Sequence, residues 1–304
     1  MVFDAIRKSL SLKVSIALAA ATVVLTTIAA SVIIGRQTQS MEELTMDKAK
    51  MSAQLGAETY GRLLEDGIDN NILTVGDVFD KNYADIKGYN WNGVPRYHTK
   101  YDAYTDNVMV AFLDRFLVSE DIIAALGADI NGYVPTHNSK YMQPFTGEAA
   151  KDMVNNRSKR MFKDDVAIKA GKNEEAVLVQ AYHRDTGELA WDVSSPVYVK
   201  GKHWGCFRAI VSSAQIEKRR SELVWGLTAM FGAFAAITAA MIFLMLRQSM
   251  KPLITLTDLA DNMSLGEGLE NPIKSQTVDE VGRMTKAVDR LRASLKAAMS
   301  RLGE

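Results

Sequence analysis

Side chains that could hold a small ligand are concentrated between residues 130 and 210, near predicted strand ends and in a basic segment. An arginine guanidinium binds a carboxylate through two parallel hydrogen bonds, and aromatic rings often form the walls of small-molecule pockets. The candidate ligand-binding residues of these types are His137, Asn138, Arg157, Arg160, Tyr182, Arg184, Asp192 and Trp204, with Tyr133 as a further pocket wall.

Each candidate also has a structural interpretation. Basic residues such as Arg157 and Arg160 are common on a solvated helix face, and Arg184 with Asp185 could form a salt bridge within a turn. Trp204 follows a turn, where a structural role is the more common one. The single cysteine, Cys206, lies in a predicted strand, where we expect a small buried residue rather than a reactive thiol.

Cysteine and histidine usage excludes several kinds of site. One cysteine excludes an internal disulfide and any Cys-rich zinc or iron–sulfur centre. Because Cys206 is followed by Phe207, the chain has no C-x-x-C-H motif, and covalent c-type haem is excluded. We therefore predict no cofactor and no metal. A metal or redox site would require His137 and His183 to converge with a carboxylate.

Two uncharged apolar stretches predict transmembrane helices. They are residues 14–35 and 223–246, each longer than the ~20 residues that a helix needs to cross a bilayer. A central charge would cost about 2.5–3.5 kcal/mol on insertion, so two charge-free stretches favour membrane spans. The first is also longer than the apolar core of a cleaved signal peptide.

The charges around these spans predict the topology. Basic residues precede the first span and follow the second, which places both termini, including the tail 1–13, in the cytoplasm. Residues 37–222 then form a domain in the periplasm or outside, and the protein lies in the inner membrane, surrounded by lipid. Lys218, Arg219 and Arg220 oppose this assignment, because they precede the second span on the predicted outer side.

Two helical patterns follow the second span, separated by a connector at residues 264–277 that is rich in Gly, Pro and Ser. In both patterns the apolar residues recur at alternating spacings of three and four, which is typical of a coiled coil that needs partner helices. These residues are Leu253, Leu256, Ala260 and Met263 in the first helix, and Val281, Met284, Val288, Leu291, Leu295, Ala298 and Leu302 in the second.

This tail resembles a HAMP domain over residues 250–302. The resemblance depends on Pro252 near the membrane, on Leu269 and Ile273 as apolar anchors of the connector, and on the run Asp279, Glu280, Val281 and Gly282 that opens the second helix. It implies a parallel four-helix bundle from two chains, hence a homodimer that relays a signal in the cytoplasm. The implied relay residues are these seven with Leu256, Met284, Val288, Leu291 and Leu295.

The domain at 37–222 has a mixed α+β pattern. A stalk helix is predicted at about 38–83, a loop at 90–105 and a sheet domain at about 120–213. Within that sheet domain we expect a hairpin at 129–134 with Asn-Gly at its turn, and a helix at 148–169. Three strands then form an antiparallel meander, ending with Trp204 to Ser212.

The order of these elements resembles the PAS-like extracytoplasmic sensor domains called Cache domains. Pro196-Val197, the turn at Gly201 and Trp204-Gly205 carry most of the resemblance, which extends to the periplasmic regions of methyl-accepting chemotaxis proteins. In such sensors the ligand usually lies between the sheet and the flanking helix, which implies Arg157 and Tyr182 as contacts.

The sequence therefore predicts transmembrane signal transduction rather than catalysis. It carries no nucleotide-binding glycine-rich loop, no catalytic motif and no histidine after His203 that could accept a phosphoryl group. Equal numbers of basic and acidic residues, 36 each, argue against nucleic acid as a partner. An unknown small molecule outside would act on a HAMP dimer that an unidentified cytoplasmic signalling partner reads.

An alternative is a membrane-tethered interaction or assembly protein that uses HAMP only for dimerisation. Substitution of Pro252 or Glu280 would change signalling under the first hypothesis and would leave function intact under the second.

Overall fold

The computed structural model describes residues 10–88, 94–274 and 278–302. The chain forms two compact units, one made of Gly35–Val224 and the other made of the segments on either side of it. Gly35–Val224 is an α+β domain with an antiparallel sheet, and two long apolar helices flank it in the sequence.

The helices and strands follow one another in mixed order. They are α1 (Leu10–Asp69), α2 (Val75–Val78), β1 (Ala84–Asp85), β2 (Tyr97–His98), α3 (Asp102–Val108), α4 (Val110–Asp114), β3 (Ile122–Asp129), β4 (Tyr133–Val134), α5 (Ala149–Asn155), β5 (Arg160–Met161), α6 (Asp165–Lys172), β6 (Leu178–His183), β7 (Leu189–Val199), β8 (Lys202–Ser212), α7 (Ser213–Ser264) and α8 (Glu280–Leu302).

The main sheet has four antiparallel strands in the order β3-β8-β7-β6. The predicted meander of the last three strands is confirmed. A two-residue turn joins β7 to β8, and its residues Lys200 and Gly201 have φ of 50° and 74°. Two successive positive φ angles match the right-handed twist of a hairpin, which explains the glycine at the second position.

One face of the sheet packs against the C-terminal half of α1. Ala53, Tyr60 and Leu64 of the helix are fully buried, and the ring of Tyr60 lies 6.4 Å from that of Phe207 on β8. Glycines allow the close approach, because a Cβ at Gly61 would lie 2.5 Å from the Tyr198 carbonyl oxygen. This apolar contact holds the sheet on α1, and the opposite face of the sheet does not pack against this helix.

The predicted stalk helix is too long, because α1 ends at Asp69 rather than near residue 83. Asn71 adopts φ of 58°, a left-handed conformation that asparagine tolerates and that ends helices. The amides of Ile72 and Leu73 both donate to the Gly67 carbonyl and close the end. Thr74 then caps the separate helix α2, with its side chain accepting from the Asp77 amide.

The predicted hairpin at 129–134 is wrong, since β3 pairs with β8 and β4 pairs with β5. The segment is a local turn. The Asp129 carboxylate accepts from the amides of Asn131 and Tyr133, and Gly132 takes φ of 79°. The loop predicted at 90–105 contains β2 and the start of α3 in its described part, while residues 89–93 lie outside the described residues.

The single helix predicted at 148–169 is also wrong. The segment forms α5, then β5, then α6. Lys159 adopts φ of 61°, which no helix interior accommodates, and its amide donates to the Val134 carbonyl. Asp164 starts α6 by accepting the Ala167 amide at 2.9 Å.

Two helices, α1 and α7, are long and apolar enough by length and composition to cross a membrane. Hydroxyl groups in the apolar part of α1 bond to the carbonyl four residues earlier, as Thr27 does to Val23 at 2.8 Å. Large apolar side chains of both segments are exposed, among them Leu25 and Trp225.

The C-terminal segment consists of the end of α7, a connector and α8. Pro252 lies inside α7, because the second apolar stretch and the first tail helix form one continuous helix. Asp279 accepts the Gly282 amide at 3.1 Å and caps α8. Connector residues 275–277 lie outside the described residues.

The connector packs on α8 through its predicted apolar anchors. Leu269 is buried, and its carbonyl accepts from the Arg292 guanidinium. The Ile273 amide donates to Asp289 at 2.8 Å, and Arg292 donates to the same carboxylate at 2.7 Å. Leu256 and Met263 of α7 are buried in this unit.

We predict that Gly61→Ala lowers the free energy of unfolding by about 1–3 kcal/mol, the usual cost of overpacking. The new methyl group would overlap the backbone of β7, which outweighs the better helix propensity of alanine. Thermal unfolding of the full chain in detergent measures the effect. Gly76→Ala is the matched control, since its nearest neighbour would lie 3.7 Å away; equal melting temperatures for the two variants would contradict the close packing of α1.

Candidate functional site

A cavity of about 290 Å³ lies on the face of the sheet opposite α1. Apolar side chains from β3 and β8 form part of its wall, and arginines and histidines from four separate parts of the chain complete it. The lining residues are Ala124, Leu126, His137, Arg157, Phe162, Asp164, Val166, Tyr182, His183, Arg184, Asp185, Arg208 and Ile210.

Strand alternation supplies the floor of the cavity. Leu126 on β3 pairs with Arg208 on β8, and Ala124 pairs with Ile210, so these side chains share one face of the sheet. Their neighbour Phe207 points to the opposite face and packs against Tyr60. Arg208 is thus the one charged residue between Trp204 and Val211 of this strand.

The chain between β4 and α6 forms the wall that faces the sheet. The Arg157 amide donates to the Tyr141 carbonyl at 2.8 Å, and the Lys159 amide donates to Val134 at 2.8 Å. These bonds hold the segment of Arg157 beside the segment of His137. Both side chains are buried.

Three arginines at the cavity are paired with carboxylates. Arg157 bonds to Asp185 at 2.7 Å and Arg184 bonds to Glu188 at 3.1 Å. Arg208 bonds to Asp192 at 3.0 Å, and the side chains of this pair are 5% and 0% exposed. Burial raises the pKa of Asp192, while the neighbouring Arg208 opposes that shift.

The hydrogen bonds of His137 determine its tautomer. Its Nδ1 accepts the Asn138 amide at 2.8 Å, so in the neutral ring Nε2 carries the hydrogen. Burial lowers the pKa of His137 well below its usual value, and Arg157, Arg184, Arg160 and Arg208 lower it further. The imidazole is therefore neutral at pH 7 and presents a donor.

The structure brings four of the eight candidate residues to the cavity, namely His137, Arg157, Tyr182 and Arg184. Arg160 lies beside them, 3.8 Å from Asp185, and donates to the Met153 carbonyl. The remaining candidates do not line the cavity: Asp192 lies beneath it as the partner of Arg208, Asn138 accepts the Ala125 amide, and Trp204 lies on the other face of the sheet.

Trp204 is displaced from the cavity by an irregularity in β8. The register with β7 shifts between Val197 and Tyr198, which leaves Trp204 without a direct partner. Such a bulge turns the extra side chain to the other face. The Trp204 indole donates to the Val78 carbonyl at 3.0 Å and packs 5.3 Å from Tyr60. Tyr133, the second predicted wall, lies in the same core.

Arg208, Asp185 and Phe162 line the cavity but were not among the predicted ligand-binding residues. The charge inside the apolar run of β8 is a sequence feature that could have identified Arg208. The guanidinium groups of Arg157 and Arg160 lie 5.4 and 5.0 Å from the centre of the Phe162 ring. No local sequence pattern predicts these two contacts, because they form only where the end of β5 places Phe162 beside both arginines.

His137 and His183 both line the cavity, together with Asp185. Among residues 10–88, 94–274 and 278–302, however, no group of three or more His, Cys, Asp or Glu side chains could hold a metal ion. Cys206 is buried on β8, and burial raises the pKa of its thiol to about 12. This thiol is therefore not a reactive nucleophile at neutral pH.

We predict that Asp192→Asn lowers the free energy of unfolding by about 3–5 kcal/mol, because it leaves the buried Arg208 charge without a counter-ion. The double variant Asp192→Leu with Arg208→Met removes both charges and should recover most of that loss. Chemical denaturation of the full chain in detergent compares the two. A double variant as unstable as the single one would contradict the isolation of this pair from water.

The lowered pKa of His137 predicts a loss of stability in mild acid. Below about pH 6.5 the unfolded chain takes up a proton that the folded chain refuses, so the free energy of unfolding falls by up to about 1.4 kcal/mol per pH unit. His137→Asn removes this titration and retains an acceptor for the Asn138 amide. The stability of the unmodified protein relative to the variant should be constant from pH 7 to 8.5 and should decrease below pH 6.5; a constant difference throughout would refute the buried neutral ring.

Comparisons with known proteins give distant structural similarity. No protein-family model matches the sequence, and no curated protein matches it. The ligand-binding domain of the Campylobacter jejuni chemoreceptor Tlp3 with 4-methylisoleucine aligns at 16% identity and a TM-score of 0.32, over 66% of this chain and 62% of that one. The Tlp3 domain with L-valine aligns at 15% identity and 0.32, over 66% of each chain.

The ligand-binding domain of Mlp24 with asparagine aligns at 15% identity and a TM-score of 0.25, over 59% of this chain and 61% of that one. The chain therefore spans less than two thirds of the length of each of these structures.

Proposed function

We propose that this chain is a homodimeric inner-membrane protein that senses a small ligand outside the cytoplasm and relays its binding to a cytoplasmic partner. The observation that carries the proposal is the cavity lined by the buried Arg157 and Arg208 and the partly buried Arg184, in a domain that lies between two span-length helices in the sequence. Burial of a charge costs several kcal/mol, and charged groups around an open cavity are typical of a binding site.

Membrane insertion would account for the surfaces of the two apolar helices. Exposed side chains such as Leu25 and Trp225 would contact lipid instead of water. The hydroxyls of Thr22, Thr27 and Ser31 already bond within α1, so they add no unpaired polar group to a bilayer. With the distribution of basic residues, this favours an outer domain at 37–222 and cytoplasmic termini.

The chain offers a direct route from the cavity to the second span. Arg208 lies on β8, which ends at Ser212, and α7 begins at Ser213 without an intervening loop. A small displacement of β8 would therefore reach the helix through the backbone. Relay by helix shifts of about 1–2 Å is common in such proteins, and it requires a coupling free energy of only about 1–3 kcal/mol.

The C-terminal segment would act as the relay module of the HAMP type. Its connector is anchored on α8 by Leu269 and Ile273, and α8 keeps an apolar stripe exposed beside the residues that contact the connector. Leu291 on this stripe is 62% exposed, and Met284 and Leu295 are also exposed. A second copy of the chain would cover the stripe in a parallel dimer, which a separate signalling protein would read.

A cysteine on the stripe tests the dimer. In a Cys206→Ala background we expect Leu291→Cys to form a disulfide-linked dimer when native membranes are oxidised, because two copies of the stripe would face each other. Ala293→Cys, an exposed position about 200° further around α8, is the matched control and should cross-link weakly. Gel mobility under non-reducing conditions measures both.

The same variant tests the topology. In intact cells a membrane-impermeant maleimide should leave Ala293→Cys unlabelled until the inner membrane is permeabilised. Labelling before permeabilisation would overturn the cytoplasmic placement of the tail. Equal cross-linking of Leu291→Cys and Ala293→Cys would overturn the parallel dimer.

A further inference from the structure

We infer that the cavity binds a small organic carboxylate that carries no positive charge, such as a short mono- or dicarboxylate. This inference rests on the proposed sensor function and specifies its ligand. The cavity holds the guanidinium groups of Arg157, Arg184 and Arg208 on walls supplied by different parts of the chain. Arg157 and Arg208 are 6% and 4% exposed, so neither charge is solvated by bulk water.

Hydrogen bonding at the cavity leaves donors in excess. Arg157 Nη2 bonds to Asp185, but Arg157 Nη1 is buried and has no partner. The Nε of the adjacent Arg160 is also buried without a partner, but Arg160 does not line the cavity. Buried donors of this kind cost free energy unless an acceptor reaches them. A ligand carboxylate supplies two acceptor oxygens in the geometry that a guanidinium binds best.

Each carboxylate that lines the cavity already has a partner for one oxygen. Asp185 Oδ1 accepts from Arg157, and Asp164 Oδ1 accepts the Ala167 amide at the start of α6. Glu188, the partner of Arg184, does not line the cavity. Asp192 keeps one oxygen without a hydrogen bond, but this residue does not line the cavity. A ligand ammonium group would therefore have to compete with these partners for the carboxylates, and it would face the guanidinium groups.

The remaining polar groups at the cavity also favour a ligand that accepts hydrogen bonds. His137 lines the cavity with its Nδ1 already bonded to the Asn138 amide, so the nitrogen left for a ligand is the protonated Nε2. Burial lowers the pKa of His137 and four arginines lower it further, so cationic groups lie close to the ring. The Tyr182 hydroxyl adds a possible donor on β6.

The apolar wall and the volume determine the rest of the ligand. Leu126, Phe162 and Ile210 line the cavity, so a short hydrocarbon group has matching surface. A volume of about 290 Å³ is at the lower limit of ligand pockets, which are usually about 300–1,000 Å³. This combination distinguishes an organic carboxylate from inorganic phosphate, which has no apolar part.

Calorimetric titration of the full chain in detergent tests the inference, with succinate and propionate as probes. Succinamide and propionamide are the matched controls, because they retain shape and lose the charge. Alanine adds an ammonium group, and inorganic phosphate tests for general anion binding. We expect saturable heat with at least one carboxylate and at least tenfold weaker binding of its amide. Binding of the amide at equal affinity, binding of phosphate alone, or no binding of either carboxylate would overturn the inference.

Variants locate the binding. Arg157→Met should weaken carboxylate binding at least tenfold, while Arg219→Met, which removes an arginine paired with Asp121 elsewhere in the domain, should leave it unchanged. Tyr182→Phe removes only a hydroxyl, and a smaller loss is expected from it, so the test survives if Arg157→Met fails to fold. Unchanged affinity in folded Arg157→Met and in Tyr182→Phe would overturn the assignment of the cavity.

Cross-linking of Leu291→Cys separates the ligand class from the relay. We expect the carboxylate that binds to change the cross-linking rate, and its amide to leave the rate unchanged. Binding without a change in rate would refute the relay and leave the ligand class standing. A dimer that cross-links normally while neither carboxylate binds would refute the ligand class alone.

Discussion

The buried ion pair of Arg208 and Asp192 is the constraint on which the cavity depends. The two residues lie on adjacent strands in the middle of the sheet, and neither is accessible to water. Such a pair is tolerable only if both partners stay in contact, because a lone buried charge costs several kcal/mol. The pair therefore opposes any slip in the register of β7 against β8, and this register determines which side chains form the cavity floor.

A one-residue slip would exchange the chemistry of the two faces of the sheet. It would move Arg208 to the face where Phe207 now packs against Tyr60, and it would bring an aromatic ring to the cavity. The bulge at Trp204 shows that a single residue can change which face a side chain occupies. Trp204 lies four residues before Arg208, and the bulge places its ring on the face of the sheet that packs against α1. The register of the strands, rather than their composition, thus determines that Arg208 faces the cavity and Phe207 faces α1.

Elements with a clear local period could be predicted from the sequence. The apolar stretches and the strands β6, β7 and β8 have uniform patterns, and the structure follows them. The errors lie where single side chains override the pattern. Asp129 closes a turn with its own carboxylate where a hairpin was expected. Lys159 takes a left-handed conformation because its amide bonds to Val134, and this interrupts a segment with the composition of a helix.

The candidate site was predictable in its residue types but only partly in its membership. His137, Arg157 and Arg184 are far apart in the sequence, and they converge through pairings that no local pattern encodes. Trp204 was a reasonable pocket wall on composition, and only the bulge moves it away. Arg208 was the reverse case, because it lines the cavity although it was not among the predicted site residues. Long-range pairing and one irregularity thus decide the site.

The three cation pairs at the cavity differ in how easily they can change partner. The side chains of Asp185 and Glu188 are 35% and 34% exposed, so either carboxylate can turn towards water at little cost. A ligand carboxylate can then replace one of them at Arg157 or Arg184. Arg208 cannot exchange its carboxylate partner in this way, because the side chain of Asp192 is fully buried. Arg157 lies on the segment between β4 and α6, and Arg184 follows β6. Arg208, whose partner cannot be exchanged, lies on β8, the strand that continues into α7. Replacement of Asp185 or Glu188 by a ligand carboxylate would therefore alter the charges around Arg208 while the Arg208–Asp192 pair stays intact.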